Sequence, residues 1–167
     1  MNEPALTMPP EQSGEIEMSY VPSEKLTIIW DKAKKYIKKS ASRSNGRIRT
    51  EDIFHDLLNK KNDLWIVYDT GTLDINGVMI TSFKNYPAGK KMLCIDHITG
   101  NKMQDWAEIG IKMLTDFART NNCHGLESVG RHGLWHWVKN KVGWKKPATF
   151  YEYNFEEIDK CNQQHKE

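Results

Sequence analysis

The stretch ITGNKMQDWAEIGIKML, residues 98–114, carries an apolar strand end through Gly100 straight into an amphipathic helix. The first amides of a helix have no intrahelical acceptor, and the helix dipole favours an anion beside them. Such a turn can hold a phosphate, or it can simply redirect the chain. Lys139, Lys141, Lys145 and Lys146, with Arg131 just before them, form a second group suited to a polyanion, or equally to a solvated face. His132 and His136 are four apart on an expected helix, so their rings share a side. The Glu of an HExxH motif is missing and no third ligand is visible, so no metal is expected there. Cys94, Cys123 and Cys161 form no CxxC pair, and the first two sit among apolar neighbours as inert thiols. The chain contains no P-loop, no dinucleotide fingerprint and no Ser-His-Asp order.

These residues need a scaffold, and the composition allows one. The chain has 167 residues, 38% hydrophobic and 28% charged, which suits a single soluble domain with a real core. No apolar run approaches the ~20 residues of a membrane span, and no basic-then-apolar leader begins the chain. An intracellular, cytoplasmic protein is the expectation. The net charge of +2 calls for no polyanion overall. Locally, Lys32, Lys34, Lys35, Lys38, Lys39, Arg43, Arg47 and Arg49 follow one another without an acid. That block fits a solvated helix face, an acidic partner or a nucleic-acid backbone.

Residues 1–14 are polar and Pro-rich and read as a flexible arm, ordered only where an assembly partner holds it. Residues 15–158 read as one domain, and 159–167 as a polar tail. Within the domain, 15–21 alternates as a strand. Ser23 caps a helix whose apolar face is Leu26, Ile29, Trp30, Ala33 and Ile37. Thr50 caps a second helix running to about Lys60. Strands follow at 64–69, 73–86 and 91–99, with Asn76-Gly77 marking a bulge or a late start in the middle one. The opening helix carries Trp106, Ile109, Met113, Leu114, Phe117 and Ala118 on one face. A short strand at 125–130, a helix at 132–141 ended by Gly143, and a last strand at 148–155 complete the pattern. The order β-α-α-β-β-β-α-β-α-β implies an α/β fold with a central mixed sheet.

That order, together with the segment VGRHGLWHWVKNKVGW, resembles the GNAT superfamily of acyl-CoA-dependent N-acetyltransferases. In that family a helix ends in a Gly-aromatic pair, here Gly143-Trp144. The combination of LWIVYD, GVMITSF and this ending looks most like small GNAT-like proteins of bacteriophages. The resemblance implies acetyl-CoA as acyl donor and an amine as acceptor, with a splayed pair of central strands between them. The family's pyrophosphate loop falls by position on Ile98, Thr99, Gly100, Asn101, Lys102 and Met103. The second glycine and the preceding Gln or Arg of the family loop are absent, and Lys102 adds a charge. A family tyrosine that protonates the leaving thiolate is here Lys139. Asp96 and Glu127, on central strands, are the implied general-base candidates. Two other functions remain open: a GNAT-fold virion, assembly or interaction protein without acetyl transfer, and a nucleic-acid-associated protein using the basic first helix.

Overall fold

Within residues 14–129, alternating apolar residues build five strands and helical spacing builds three α-helices. In chain order these are β1 (Ile16–Val21), α1 (Leu26–Ala41), α2 (Thr50–Leu58), β2 (Asp63–Asp69), β3 (Ile75–Asn85), β4 (Lys91–Gly100), α3 (Met103–Thr120) and β5 (Gly125–Glu127). The computed structural model describes residues 14–129 and, beyond them, Leu134, His136, residues 138–141 and 143–149, Phe155 and Lys160. The chain divides after Val129 into two compact units.

The sheet order is β1-β2-β3-β4-β5. Its first four strands are antiparallel neighbours, and β5 joins β4 in parallel. This is the mixed sheet the sequence implied. Leu26, Ala33, Tyr36 and Ile37 of α1 and Ile53 and Leu57 of α2 form one core with Leu64, Val78 and Ile80 of the sheet. Burying each large aliphatic side chain here contributes roughly 1.5–3 kcal/mol relative to exposure. Trp65 and Phe83 meet Phe117 of α3 at ring-centroid distances of 4.9 and 5.8 Å, so α3 covers the opposite face.

Two register shifts matter for the site. One falls at Asn76, between the pairs Val67–Gly77 and Tyr68–Ile75, where the Asn-Gly pair had marked a bulge. The other falls at Asp96, between the pairs Ile80–His97 and Thr81–Ile95. An extra residue in one strand is left out of the ladder and its side chain is re-aimed.

Several local expectations are corrected. Ser23 is not a side-chain cap; residues Ser23–Lys25 form a 3-10 turn entered from Pro22. Thr50 is the first residue of α2 rather than its cap. Arg49 precedes it, donating its backbone amide to Asp52 at 2.8 Å while its guanidinium bonds the same carboxylate. On α3, Ile109 is 44% exposed and Gly110 lies buried instead. A Cβ on Gly110 would come within 2.8 Å of the Met79 methyl, so close helix–sheet contact turns the buried face toward glycine.

In the second unit, Leu134, His136 and Val138 are helical, but residues 139–141 are turn and bend rather than the end of the helix expected over 132–141; Gly143, further on, takes a left-handed φ of +89°. Ala148 and Thr149 have no regular structure and Phe155 is helical; the rest of the strand expected over 148–155 lies outside the described residues. Trp135, Trp137, Arg131, His132 and Cys161 lie outside the described residues, as do residues 1–13 of the arm and most of the tail. Among the described residues no helix is long and apolar enough to cross a membrane.

Candidate active site

The parallel pairing of β4 and β5 is short. It runs from Met92–Gly125 through Leu93–Leu126 to Cys94–Glu127, while β4 continues to Gly100 against β3. Beyond Glu127, among the described residues, a side chain bridges the two, the Ser128 hydroxyl donating to the Ile95 carbonyl at 2.8 Å. The strands therefore part on the β4 side that leads to α3.

Pleating decides which side chains face this opening. His97 accepts or donates a 2.8 Å bond with Ser40 of α1, so its pair Ile80–His97 faces α1. Thr81 accepts from the indole of Trp65 at 3.0 Å, on the α3 side. One residue further, Ser82 and Cys94 face the α1 side again, and Glu127 is paired with Cys94. Lys84 and Glu127 meet there, Nζ to carboxylate, at 3.5 Å. The Tyr86 hydroxyl lies 2.9 and 3.0 Å from the two oxygens of Glu127. Asp96, freed from the ladder by its bulge, accepts from Asn62 Nδ2 at 3.1 Å, and its carboxylate acts on the Cys94 thiol.

Asp96 and Glu127, proposed from separate strands, thus flank one thiol on one face of the sheet. Burial pushes the Cys94 thiol up to about 12, and the Asp96 carboxylate pushes in the same direction. The thiol stays protonated and can donate. Burial works against the Lys84 ammonium, but Cys94 and Glu127 outweigh it and hold its pKa above the ordinary value. The Tyr86 phenol is likewise held high by its bond to Glu127. Burial lowers the His97 imidazole, partly opposed by Asp96. A carboxylate in this setting can take a proton from an amine. Tyr86, Lys84 and Asn62 were not singled out by sequence, and Cys94 was read there only as an inert thiol. Their only signal is period-two alternation, and the two bulges hide the register.

The β4–α3 turn is built differently from the expected phosphate loop. Gly100 is needed for packing: a Cβ there would lie 2.5 Å from the Trp106 ring and 2.7 Å from the Asn76 carbonyl. Its ladder partner Gly77 is shielded by the same ring. Asn101 is tied down, its amide donating to the Asn76 carbonyl and its own carbonyl accepting from the Trp106 indole, each at 2.8 Å. Ile98 pairs with Met79, while Thr99 is buried with a hydroxyl that has no partner among the described residues. Lys102 stands before α3 in a left-handed conformation, φ +46°, with no side-chain capping bond. The Asp105 amide bonds the Lys102 carbonyl at 2.9 Å, and its carboxylate sits in the first turn. What the turn offers an anion is the first-turn amides of Met103 and Gln104 and the exposed Lys102. These residues fit a phosphate, without a glycine-lined approach.

Lys139 is exposed in the turn after Val138, and its neighbour His136 is exposed and helical, both in the second unit. Among the described residues no three His, Cys, Asp or Glu side chains gather as a metal-binding group.

No protein-family model and no curated protein sequence matches the chain. Its fold does have solved counterparts. An aminoglycoside acetyltransferase from an uncultured soil metagenomic sample is similar at a TM-score of 0.61, over 84% of this chain and 98% of that one, with 10% identity. The ribosomal-protein-alanine N-acetyltransferase of Brucella melitensis biovar Abortus 2308 is similar at 0.58, over 84% and 99%, with 14% identity. A predicted acetyltransferase with acetyl-CoA from Clostridium acetobutylicum is similar at 0.56, over 86% and 98%, with 17% identity. The chain has the GNAT fold, and several of its structural neighbours are acetyltransferases. At these identities the likeness is one of fold, and function must come from the site.

Proposed function

We propose that the chain is an acyl-CoA-dependent N-acyltransferase that moves an acetyl group to an amine. The parting of β4 and β5 just beyond Cys94–Glu127, with Asp96 and Glu127 on one face beside it, is the observation that supports this most. Acetyl-CoA, when bound, supplies the thioester. The Met103 and Gln104 amides and the Lys102 ammonium hold its pyrophosphate. Asp96 takes the proton that the attacking amine must lose as the new C–N bond forms. Glu127 is the weaker candidate for that step, because both its oxygens are engaged by Tyr86 and Lys84 lies beside them. Its part is to keep those two side chains in place. The departing sulfur needs a proton, and Lys139, four residues before Gly143, is assigned to give it. Such a protein works where acyl-CoA is made and used, in the cytoplasm.

Titration of the protein with acetyl-CoA while following its melting temperature tests the reading, since a ligand that binds only the native state must stabilise it. A rise that saturates with ligand is expected. No shift and no calorimetric binding at millimolar acetyl-CoA would instead favour a GNAT-fold assembly or virion component, or a nucleic-acid partner along α1.

A further inference from the structure

A cavity of about 230 Å³ opens between the end of β1, the turn into α1 and the connection from α2 to β2. It is smaller than the ~300 Å³ at which sites for drug-sized ligands begin, so its occupant is small. Val21, Leu26, Leu57 and Leu64 line it, and each is 6% exposed or less. That floor suits a short alkyl chain. The polar lining is acidic on balance, with Glu24 and Asp63 against Lys60. Lys60 is already taken, its ammonium 3.1 Å from Glu24. Asp63 has no cation in ion-pair range among the described residues; its partner is the Tyr20 hydroxyl at 3.3 Å. Half-buried and holding a single hydroxyl, this carboxylate retains lone pairs for a further donor. Burial raises its pKa against the lowering effect of Tyr20, the response of a carboxylate short of positive charge.

We propose that this cavity binds a small alkylammonium ion, with its chain on the apolar floor and its charge on Asp63. Asn62 connects it to the candidate site. It lines the cavity and donates to Asp96, so one side chain separates the cavity from the assigned proton acceptor. The cavity is then the subsite for an aliphatic amine acceptor, an assignment that rests on the acyltransferase reading, whereas its preference for an ammonium does not.

Methyl-resolved NMR titrations with n-butylamine and with 1-butanol, at neutral pH and without acetyl-CoA, separate charge from shape. Saturable shifts of the Leu57 and Leu64 methyls are expected with the amine at millimolar concentration, at least about tenfold tighter than with the alcohol. In Asp63→Asn, a near-isosteric change, the two ligands should become equivalent. Equal binding of amine and alcohol by the unaltered protein, or no shift with the amine, overturns the proposal without relying on any variant. Adding acetyl-CoA then tests the other reading separately. Amine bound here but never acylated leaves the cavity site standing and removes the transferase; acylation of butylamine without saturable binding at these methyls removes the cavity site.

Discussion

The Tyr86 hydroxyl sits almost equidistant from the two oxygens of Glu127, at 2.9 and 3.0 Å, and so ties the end of β3 to the last paired residue of β5. The bond favours the neutral phenol, because ionising Tyr86 would place a second negative charge against the carboxylate. Its folded pKa is raised above the ordinary value of 10.0. The contribution is therefore complete below pH 10 and is lost as pH rises through the folded value. In Glu127→Gln the Tyr86 midpoint, followed by phenolate absorbance, should fall back toward 10. An unchanged midpoint would show that the bond does not persist in solution.

Cys94 gives a reactivity prediction. Its thiol is raised from 9.0 to about 12, first by burial and then by Asp96, so its stabilising contribution holds below about pH 9 and fades toward 12. The thiolate is the reactive form. Peptide mapping after brief treatment with iodoacetamide at pH 8 should find Cys94 unmodified in the native protein and modified in urea. Rapid native labelling contradicts the buried, protonated thiol.

Gly100 gives a packing prediction. A Cβ there meets both the Trp106 ring and the Asn76 carbonyl, and the backbone atom cannot swing aside as a flexible side chain can. Gly100→Ala should lose about 1–3 kcal/mol in urea denaturation, the range for overpacking a filled site. A neutral effect would mean that the turn has slack the geometry does not show.

Lys102 separates a local backbone role from an anion-binding one. Its left-handed conformation, φ +46°, suits glycine better than lysine. Lys102→Gly should leave stability unchanged or raise it by up to ~1 kcal/mol, while weakening acetyl-CoA binding in calorimetry. Unweakened binding removes Lys102 from the phosphate site.

Much of the sheet could be read directly from the chain. IEMSYV and LWIVYD alternate, α1 separates its lysines from Leu26, Ala33 and Ile37, and Asn76-Gly77 announced its bulge. The failures have local causes. Arg49 caps α2 through a bond to Asp52, which residue-type preferences at the cap do not anticipate. Gly110 rather than Ile109 meets the sheet because Met18 and Met79 fill the space between. The site was half legible. Asp96 and Glu127 were visible as strand carboxylates, but only the bulge at Asp96 and the three-residue pairing of β5 bring them to one face. No period in the sequence carries that information, nor the meeting of Tyr86 with Glu127 across 41 residues of chain.

Release of free thiol from acetyl-CoA in the presence of an aliphatic amine, with the acetylated amine identified by mass spectrometry, tests the central claim most directly. Thiol release should require both reactants, and Asp96→Asn should lower it by on the order of a hundredfold or more, as loss of a positioned base does, with Lys139→Ala also lowering it. Amine-dependent release that survives Asp96→Asn unchanged would contradict the assigned role of that carboxylate, and no release with any amine offered would contradict the acyltransferase itself.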